Sequence, residues 1–403
     1  MSAFHLDVFL LAVRVGELAG GREGGTWFAP DRAWLERGAL PSLGVAFERD
    51  RSLRRAGTGL PYWFEHLLPA PGGALRRRIC SARNLRETDS AALLKLLGRD
   101  LPGAVEVLGD VQAPAAAEAP LDLRIAFSLP GLQLKFSLAE VGDRFAIPGR
   151  GQDGGWIVKL PSDDRPELPA VEHATMRWAA AAGFSVPETR VVATSDIEGL
   201  GPQLVARVPQ GLAVRRFDRR PDGKRVHQED FAQALEIGPE HIYGNSGPHR
   251  LGNDQLLRLV SDASGPAVAE EFVQRLAFVV VSGNTDAHLK NWSFQWTGAS
   301  RPQLSPLYDQ VATVSWEPFG WQKGHAPELA LAIGRCRLFA DLTEAHVETF
   351  AKRGGSIQAT TWFEEGVRRA IGAWNTVADT APEPMRAALA IHWSRVPILR
   401  RLA

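Results

Sequence analysis

The chain has 403 residues, of which 45% are hydrophobic and 23% charged, with 46 basic and 46 acidic side chains in balance. Such a composition excludes a disordered chain, and the balance leaves no global field to draw the protein toward nucleic acid or an anionic membrane. Two cysteines, Cys80 and Cys336, make neither a disulfide framework nor a metal knuckle, and the longest apolar runs fall far short of a bilayer span. A cytoplasmic protein of two or three domains is expected, without secretion or membrane insertion.

Residues 4–60 read as short strands and turns, with the apolar run 8–16 leading into glycine-rich turns near Gly21 and Gly24-Gly25. Helical density follows at 62–68 and 91–97, and the run Arg76-Arg77-Arg78 is expected on the solvated face of a short helix. The Pro/Ala-rich stretch 111–120 has no apolar period, so a first domain is placed at 1–112. A strand-rich domain at 121–220 comes next, with strands at 123–128, 133–137 and 154–160. Within it Val171, Ala174, Trp178 and Ala182 mark one face of a helix that stops at Gly183, and further strands are expected near 191–192, 204–208 and 212–217. From about residue 227 the pattern is mainly helical, defining a third domain at 221–403. Its central stripe, Phe272, Val273, Leu276, Val279 and Val280, ends at Gly283, and later helices are expected at 327–333, 343–353, 362–375 and 384–402. The order of strands, one helix, strands and then helices predicts an α+β protein.

Immediately after that stripe comes Asn284-Thr285-Asp286-Ala287-His288-Leu289-Lys290-Asn291, with Asp309 downstream in Leu307-Tyr308-Asp309. An aspartate followed five positions later by an asparagine is the spacing of a kinase catalytic loop, where the aspartate orients an accepting hydroxyl and the asparagine holds magnesium. A further carboxylate, Asp309, supplies the hard oxygen that magnesium prefers. The same Asn284, Thr285 and Asp286 equally suit a cap or turn after an apolar run. Upstream, Lys159 lies inside the apolar strand Trp156-Ile157-Val158-Lys159-Leu160. There its ammonium either meets phosphates or Glu172, or reaches water from an edge strand. Met176 and Trp178 read as packing residues and His173 as exposed or hydrogen-bonded.

Taken together and in order, these segments resemble the HipA family of serine/threonine kinase toxins over nearly the whole chain. The segments are Trp63-Phe64-Glu65-His66-Leu67-Leu68-Pro69, the turn from Ser128 through Pro130, Gly131, Leu132, Gln133 and Leu134 to Lys135, the Lys159 strand, Arg216-Phe217-Asp218-Arg219, Gln228-Glu229-Asp230, the 284–291 loop and Leu304-Ser305-Pro306-Leu307-Tyr308-Asp309. The resemblance implies a two-lobed protein-kinase-like fold with a strand-rich N-lobe, a helical C-lobe and an additional N-terminal α/β subdomain. It also implies ATP and Mg2+ as cofactors. Asp286 is then the catalytic aspartate, and Asn291 and Asp309 are the metal ligands. ATP is met by Lys159, by the phosphate loop with Gly131, Gln133 and Lys135, and by the backbone at Arg216 and Phe217. His288 and Lys290 support the loop near phosphate, and Glu172 supports Lys159.

Ser128 matches the serine that the family autophosphorylates, switching the kinase off. The implied partners are a small dimeric helix-turn-helix, HipB-like antitoxin, operator DNA reached mainly through that antitoxin, and a protein substrate such as an aminoacyl-tRNA synthetase, whose phosphorylation would arrest translation. The chain departs from the family at Pro130 and Leu132, which replace an alanine and a small residue, and at Arg215, which stands where the well-studied type has glutamate. Two other readings stay open on the residues alone: a small-molecule kinase, and a catalytically weak kinase-like protein that binds partners or co-regulates transcription.

Overall fold

The computed structural model describes residues 4–21, 25–36, 42–109, 134–142, 144–146, 154–161, 165–244, 250–298, 301–316, 319–322 and 324–402. The turn at 128–133, with Ser128, Gly131 and Gln133, the linker 111–120 and the expected strand 123–128 lie outside them. By contact density the chain divides into two compact units. One comprises Met1–Pro166, Val191–Pro239 and Gln295–Ser300; the other comprises Glu167–Arg190, Glu240–Phe294 and Arg301–Ala403. Among the described residues no helix is long and apolar enough to cross a membrane.

The first unit opens with five strands, β1 (Phe4–Leu10), β2 (Val13–Gly20), β3 (Thr26–Pro30), β4 (Arg54–Ala56) and β5 (Val105–Gly109), in the sheet order β4-β3-β2-β1-β5. The single apolar run expected at 8–16 is instead a hairpin. It turns at Leu11 and Ala12, both at positive φ (50° and 64°), a turn shape that usually announces itself with glycine or asparagine. Leu6, Val8 and Leu10 alternate inward and pack on Phe28, Phe47, Trp63 and Phe64, whose rings meet at tilted or edge-to-face angles.

The basic run is not wholly solvated. In the helix Ala74–Ala82, Arg76 points inward with Ile79 and Cys80, is 2% exposed, and pairs with buried Glu65 at 2.7 Å while also donating to Ser90 Oγ and Glu87 O. The helical period sets Arg76 on the face opposite Arg77, and the acidic partner came from the Trp63–Glu65 segment, which the run itself could not announce.

That same segment ties the N-terminal strands to residues 228–237. Trp63 Nε1 donates to Glu229 Oε1 at 2.8 Å, Val45 N to Glu229 Oε2 at 2.7 Å, Gln233 Nε2 to Trp63 O and His66 Nε2 to Ile237 O. Burial pushes the Glu229 carboxyl up to about 8, against the pull of those two N–H donors. Gly44 has φ +156°, and a Cβ there would fall 2.0 Å from Glu229 Oε1, so only glycine lets the backbone approach.

A second sheet, β6 (Leu134–Val141), β7 (Arg144–Ala146), β8 (Trp156–Leu160), β9 (Thr189–Ala193) and β10 (Gln210–Arg215), runs in the order β7-β6-β8-β10-β9. The strand expected at 204–208 is the helix Pro202–Arg207. Pro202 suits a first turn, and Leu204 and Val208, four apart, both bury against Phe136, Trp156 and Val158.

The second unit is mainly helical, with the helices Leu168–Ala181, Pro266–Ser282, Glu344–Gly354 and Ala359–Trp374. Trp178 is fully buried, meets Phe278 edge-to-face and Trp374 at a tilt, and donates to Ala370 O; His173 pairs with Thr189 Oγ1. The expected helix at 327–333 is the strand Glu328–Ile333. Leu329, Leu331 and Ile333 bury at period two, and a Gly334-Arg335 turn with both φ positive returns the chain to Cys336–Leu338, so pairing overrides the helix propensity of Glu, Leu and Ala. The C-terminal helix breaks into Glu383–Arg395 and Pro397–Leu402 at the proline.

His392 in the former is fully buried as one neutral tautomer, Nε2 donating to Val280 O at 2.8 Å and Nδ1 accepting from Trp321 Nε1. Burial drives its pKa down to about 4. With an unfolded value near 6.5, its contribution is complete above that pH and is lost as pH falls toward 4, roughly 3 kcal/mol across the window. Urea midpoints at pH 7 and pH 4.5 should therefore converge for wild type and His392→Gln as the solution is acidified.

Candidate active site

The loop 284–291 hangs from the end of the buried helix Pro266–Ser282. Gly283 closes that helix in the left-handed conformation (φ +62°), while its own N–H and that of Asn284 return to Val280 O and Val279 O. A Cβ on Gly283 would lie 2.5 Å from Val314, so a side chain here would push away the short helical turn Thr313–Ser315. Asn284 is fully buried. Its Oδ1 accepts the Asp286 N–H at 2.9 Å, and its Nδ2 donates to Gln310 Oε1. The Asx turn at Asn284 is what presents Asp286, which is exposed.

Asn291 Nδ2 donates back to Asp286 O at 2.7 Å and closes the loop on itself, which directs the Asn291 Oδ1 acceptor elsewhere. His288 N donates to Asp286 O and Asn291 N to His288 O, tightening the same turn.

Residues 308–314 are clamped along this loop. Tyr308 OH donates to Lys290 O at 2.8 Å, Gln310 holds Asn284, and Thr313 Oγ1 accepts from Thr285 N at 2.6 Å while donating to Gly283 O. Asp309 sits between two of those clamps, with φ +53°, a left-handed conformation uncommon for a residue with a side chain. Arg275, buried in the supporting helix, fixes the approach by donating to Ser305 O at 2.7 Å. Thr175 receives Ala312 N–H. Asp286, Asn291 and Asp309 are thus brought onto one clamped framework from two stretches of chain.

The donor chemistry fits magnesium carried with a nucleotide: one or two carboxylates and an amide oxygen, the rest of the shell falling to phosphates and water. Among the described residues no group of three or more His, Cys, Asp or Glu forms a self-sufficient metal site, as such a shared ion does not require one. The sequence did not single out Tyr243, whose hydroxyl donates to Asp286 Oδ1 at 2.6 Å across 43 positions; nothing local at Tyr243 marks it.

In the other unit, Lys159 is on β8, the central strand, and is 4% exposed, so the edge-strand alternative does not hold. Its antiparallel partner on β6 is Lys135. Trp156, Val158 and Leu160 bury on one face with Phe136 and Leu138. The opposite face therefore carries Lys135 and Lys159 side by side, with Ile157, Leu212 and Val214. Two like charges directly opposite one another are destabilising unless each meets an opposite charge.

Arg216 has a different task from a ligand contact through its side chain. Its guanidinium is buried among Asp218, Asp100, Ser137 Oγ and Leu101 O, and Arg219 joins the same carboxylates. Burial alone would raise the Asp218 carboxyl, but Arg216, Arg219 and the Gly103 N–H outweigh it and hold it below the usual range. The Arg216 N–H donates to Gly155 O. Glu172 is buried in the helix Leu168–Ala181.

Known proteins with these features agree on the family. Residues 6–108 match the HipA N-terminal domain, and residues 127–381 match the HipA-like C-terminal domain. The chain is 36% identical over 326 residues to Y4dM of Sinorhizobium fredii, described as a candidate kinase, covering 77% of this chain and 78% of that one. It is 29% identical over 278 residues to the serine/threonine-protein kinase toxin HipA of Shewanella oneidensis, covering 60% and 59%. A solved complex of Shewanella oneidensis HipA with HipB and operator DNA contains a chain that superposes with a TM-score of 0.75 at 22% identity, covering 98% of this chain and 96% of that one. The two-lobed α+β fold, strand-rich at its N-terminal side and helical at its C-terminal side, is shared with that structure, and the chain belongs to the HipA family.

Proposed function

We propose that the protein is an ATP- and Mg2+-dependent serine/threonine protein kinase and the toxin of a toxin-antitoxin module. The observation that carries this reading is the exposed Asp286 held on a closed loop, with Asn291 and Asp309 fixed to the same framework by the Tyr308, Gln310 and Thr313 contacts. In this role Asp286 orients the acceptor hydroxyl, and Asn291 and Asp309 offer oxygens to the metal, which when bound neutralises charge on the phosphates. Lys159 and Lys135 are the proposed phosphate contacts of the other unit, with Gly131 and Gln133 proposed beside them in sequence, while His288 and Lys290 support the loop. The Arg216 N–H is already used by Gly155 O, so adenine recognition at Arg216 and Phe217 falls to the other backbone groups of that segment.

The Shewanella oneidensis relative, in complex with HipB and operator DNA, supports a HipB-like helix-turn-helix antitoxin as partner here, with DNA reached through it. The substrate proposed from the family is a translation protein such as an aminoacyl-tRNA synthetase, and Ser128 is the proposed site of inactivating autophosphorylation, adding about two negative charges beside a phosphate-binding turn. Incubation with γ-labelled ATP and Mg2+, followed by mass spectrometry, should place phosphate on protein serine or threonine and on Ser128. Label appearing only on a small molecule, with none on any protein in a lysate, would contradict it.

A further inference from the structure

Tyr243 is held by its backbone to the loop it touches. Ile242 O accepts Leu289 N–H at 3.1 Å, Tyr243 O accepts from Arg337 Nη1 at 3.2 Å, and Gly244 N–H returns to His241 O at 2.9 Å. Gly244 itself turns the chain at φ +64°, where a Cβ would stand 2.5 Å from Leu251 O. The Tyr243 ring meets His288 edge-on, with centroids 5.1 Å apart and planes at 90°. From this fixed base its hydroxyl reaches Asp286 Oδ1 at 2.6 Å. Partial burial and the neighbouring carboxylate hold that hydroxyl protonated far above the ordinary tyrosine range, so it acts as a donor.

Resting on the kinase reading above, we infer that Tyr243 is a positioning residue: it takes Asp286 Oδ1 and so fixes the carboxylate with Oδ2 left to receive the serine or threonine hydroxyl of the acceptor. Asp286 has three other polar handles. Its N–H is taken by Asn284 and its carbonyl by Asn291 and His288, so the backbone is fixed and the side-chain torsion is the freedom that remains. A single hydrogen bond from a rigid aromatic arm removes that freedom. An alternative role for such a contact is a brake, a tyrosine occupying the acceptor's place until released. A brake has to leave, whereas Tyr243 is anchored to the catalytic loop on one side and to Arg337 on the other.

Tyr243→Phe deletes the hydroxyl and keeps the ring on His288. With protein substrate saturating, kcat should fall about tenfold or more, since a reacting group left free to rotate forfeits orientation, while KM for ATP and the melting temperature stay at their wild-type values. The double variant Tyr243→Phe with Asp286→Asn should be no slower than Asp286→Asn alone, because the hydroxyl acts only through the carboxylate. A kcat within twofold of wild type in Tyr243→Phe, a raised kcat as a brake would give, or a fall in kcat accompanied by weaker ATP binding and a lower melting temperature would each overturn the assignment. If Asp286→Asn is inactive while Tyr243→Phe is unaffected, only this inference fails. If Asp286→Asn is as active as wild type, the kinase reading fails with it.

Discussion

Asp286→Asn is expected to lower phosphoryl transfer by about 10²–10⁴-fold, the range removed with a positioned acid-base group, while the fold is retained. Asparagine has nearly the same shape, and its Oδ1 still accepts from Tyr243, so the Asn284 and Asn291 contacts to the backbone of residue 286 persist. What is lost is the negative oxygen that draws the acceptor hydroxyl into line. Single-turnover labelling of a protein substrate measures the change, and circular dichroism melting checks the fold. A variant within threefold of wild type would show that another group does this work. In cells, the same substitution should relieve growth arrest if toxicity comes from phosphoryl transfer, and leave it undiminished if it comes from binding.

The second large effect belongs to stability. Asp218 is buried with both Arg216 and Arg219 on it, at 2.9 and 3.0 Å, and it also receives the Gly103 N–H at 2.8 Å. Asp218→Ala strips two buried guanidiniums of their shared counter-charge, leaving Asp100, whose side chain is 28% exposed, as the remaining carboxylate. A loss of about 3–5 kcal/mol is expected, as for other buried pairs broken on one side. Urea unfolding would show it as a lower midpoint at unchanged slope. A loss under about 1 kcal/mol would mean that Asp100 and the Leu101 carbonyl alone satisfy both arginines. Because this cluster joins Asp100, Leu101 and Gly103 to the end of β10, the N-terminal sheet and the second sheet should lose stability together.

Several features were legible in the chain itself. The stripe Phe272–Val280 set a helix, Gly283 ended it, and the Asp286 to Asn291 spacing placed a closed loop at its end, because each depends on residues within two turns of one another. The order of segments carried the family for the same reason, since each was a short local pattern. Local period failed where the partner lay far away. Residues 328–333 carry helix formers, yet a return strand at 336–338 made them a strand. The 204–208 segment, with Val205 and Val208, reads as extended, yet its burial at Leu204 and Val208 made it helical.

Charge was read least well. Arg76 resembles a solvated side chain in sequence and Lys159 left a buried and a solvated reading open; tertiary structure buried both, the first beside Glu65, the second in a central strand opposite Lys135. Tyr243 shows the limit most plainly. A hydroxyl 43 positions from Asp286 leaves no periodic trace, and only the hydrogen bonds of Ile242 with Leu289 and of Tyr243 with Arg337 bring it within reach of the carboxylate. Sequence thus determined which groups could do chemistry, because their identity and close spacing are local. Tertiary structure decided what aims and supports them, because that rests on contacts between segments whose separation along the chain has no period.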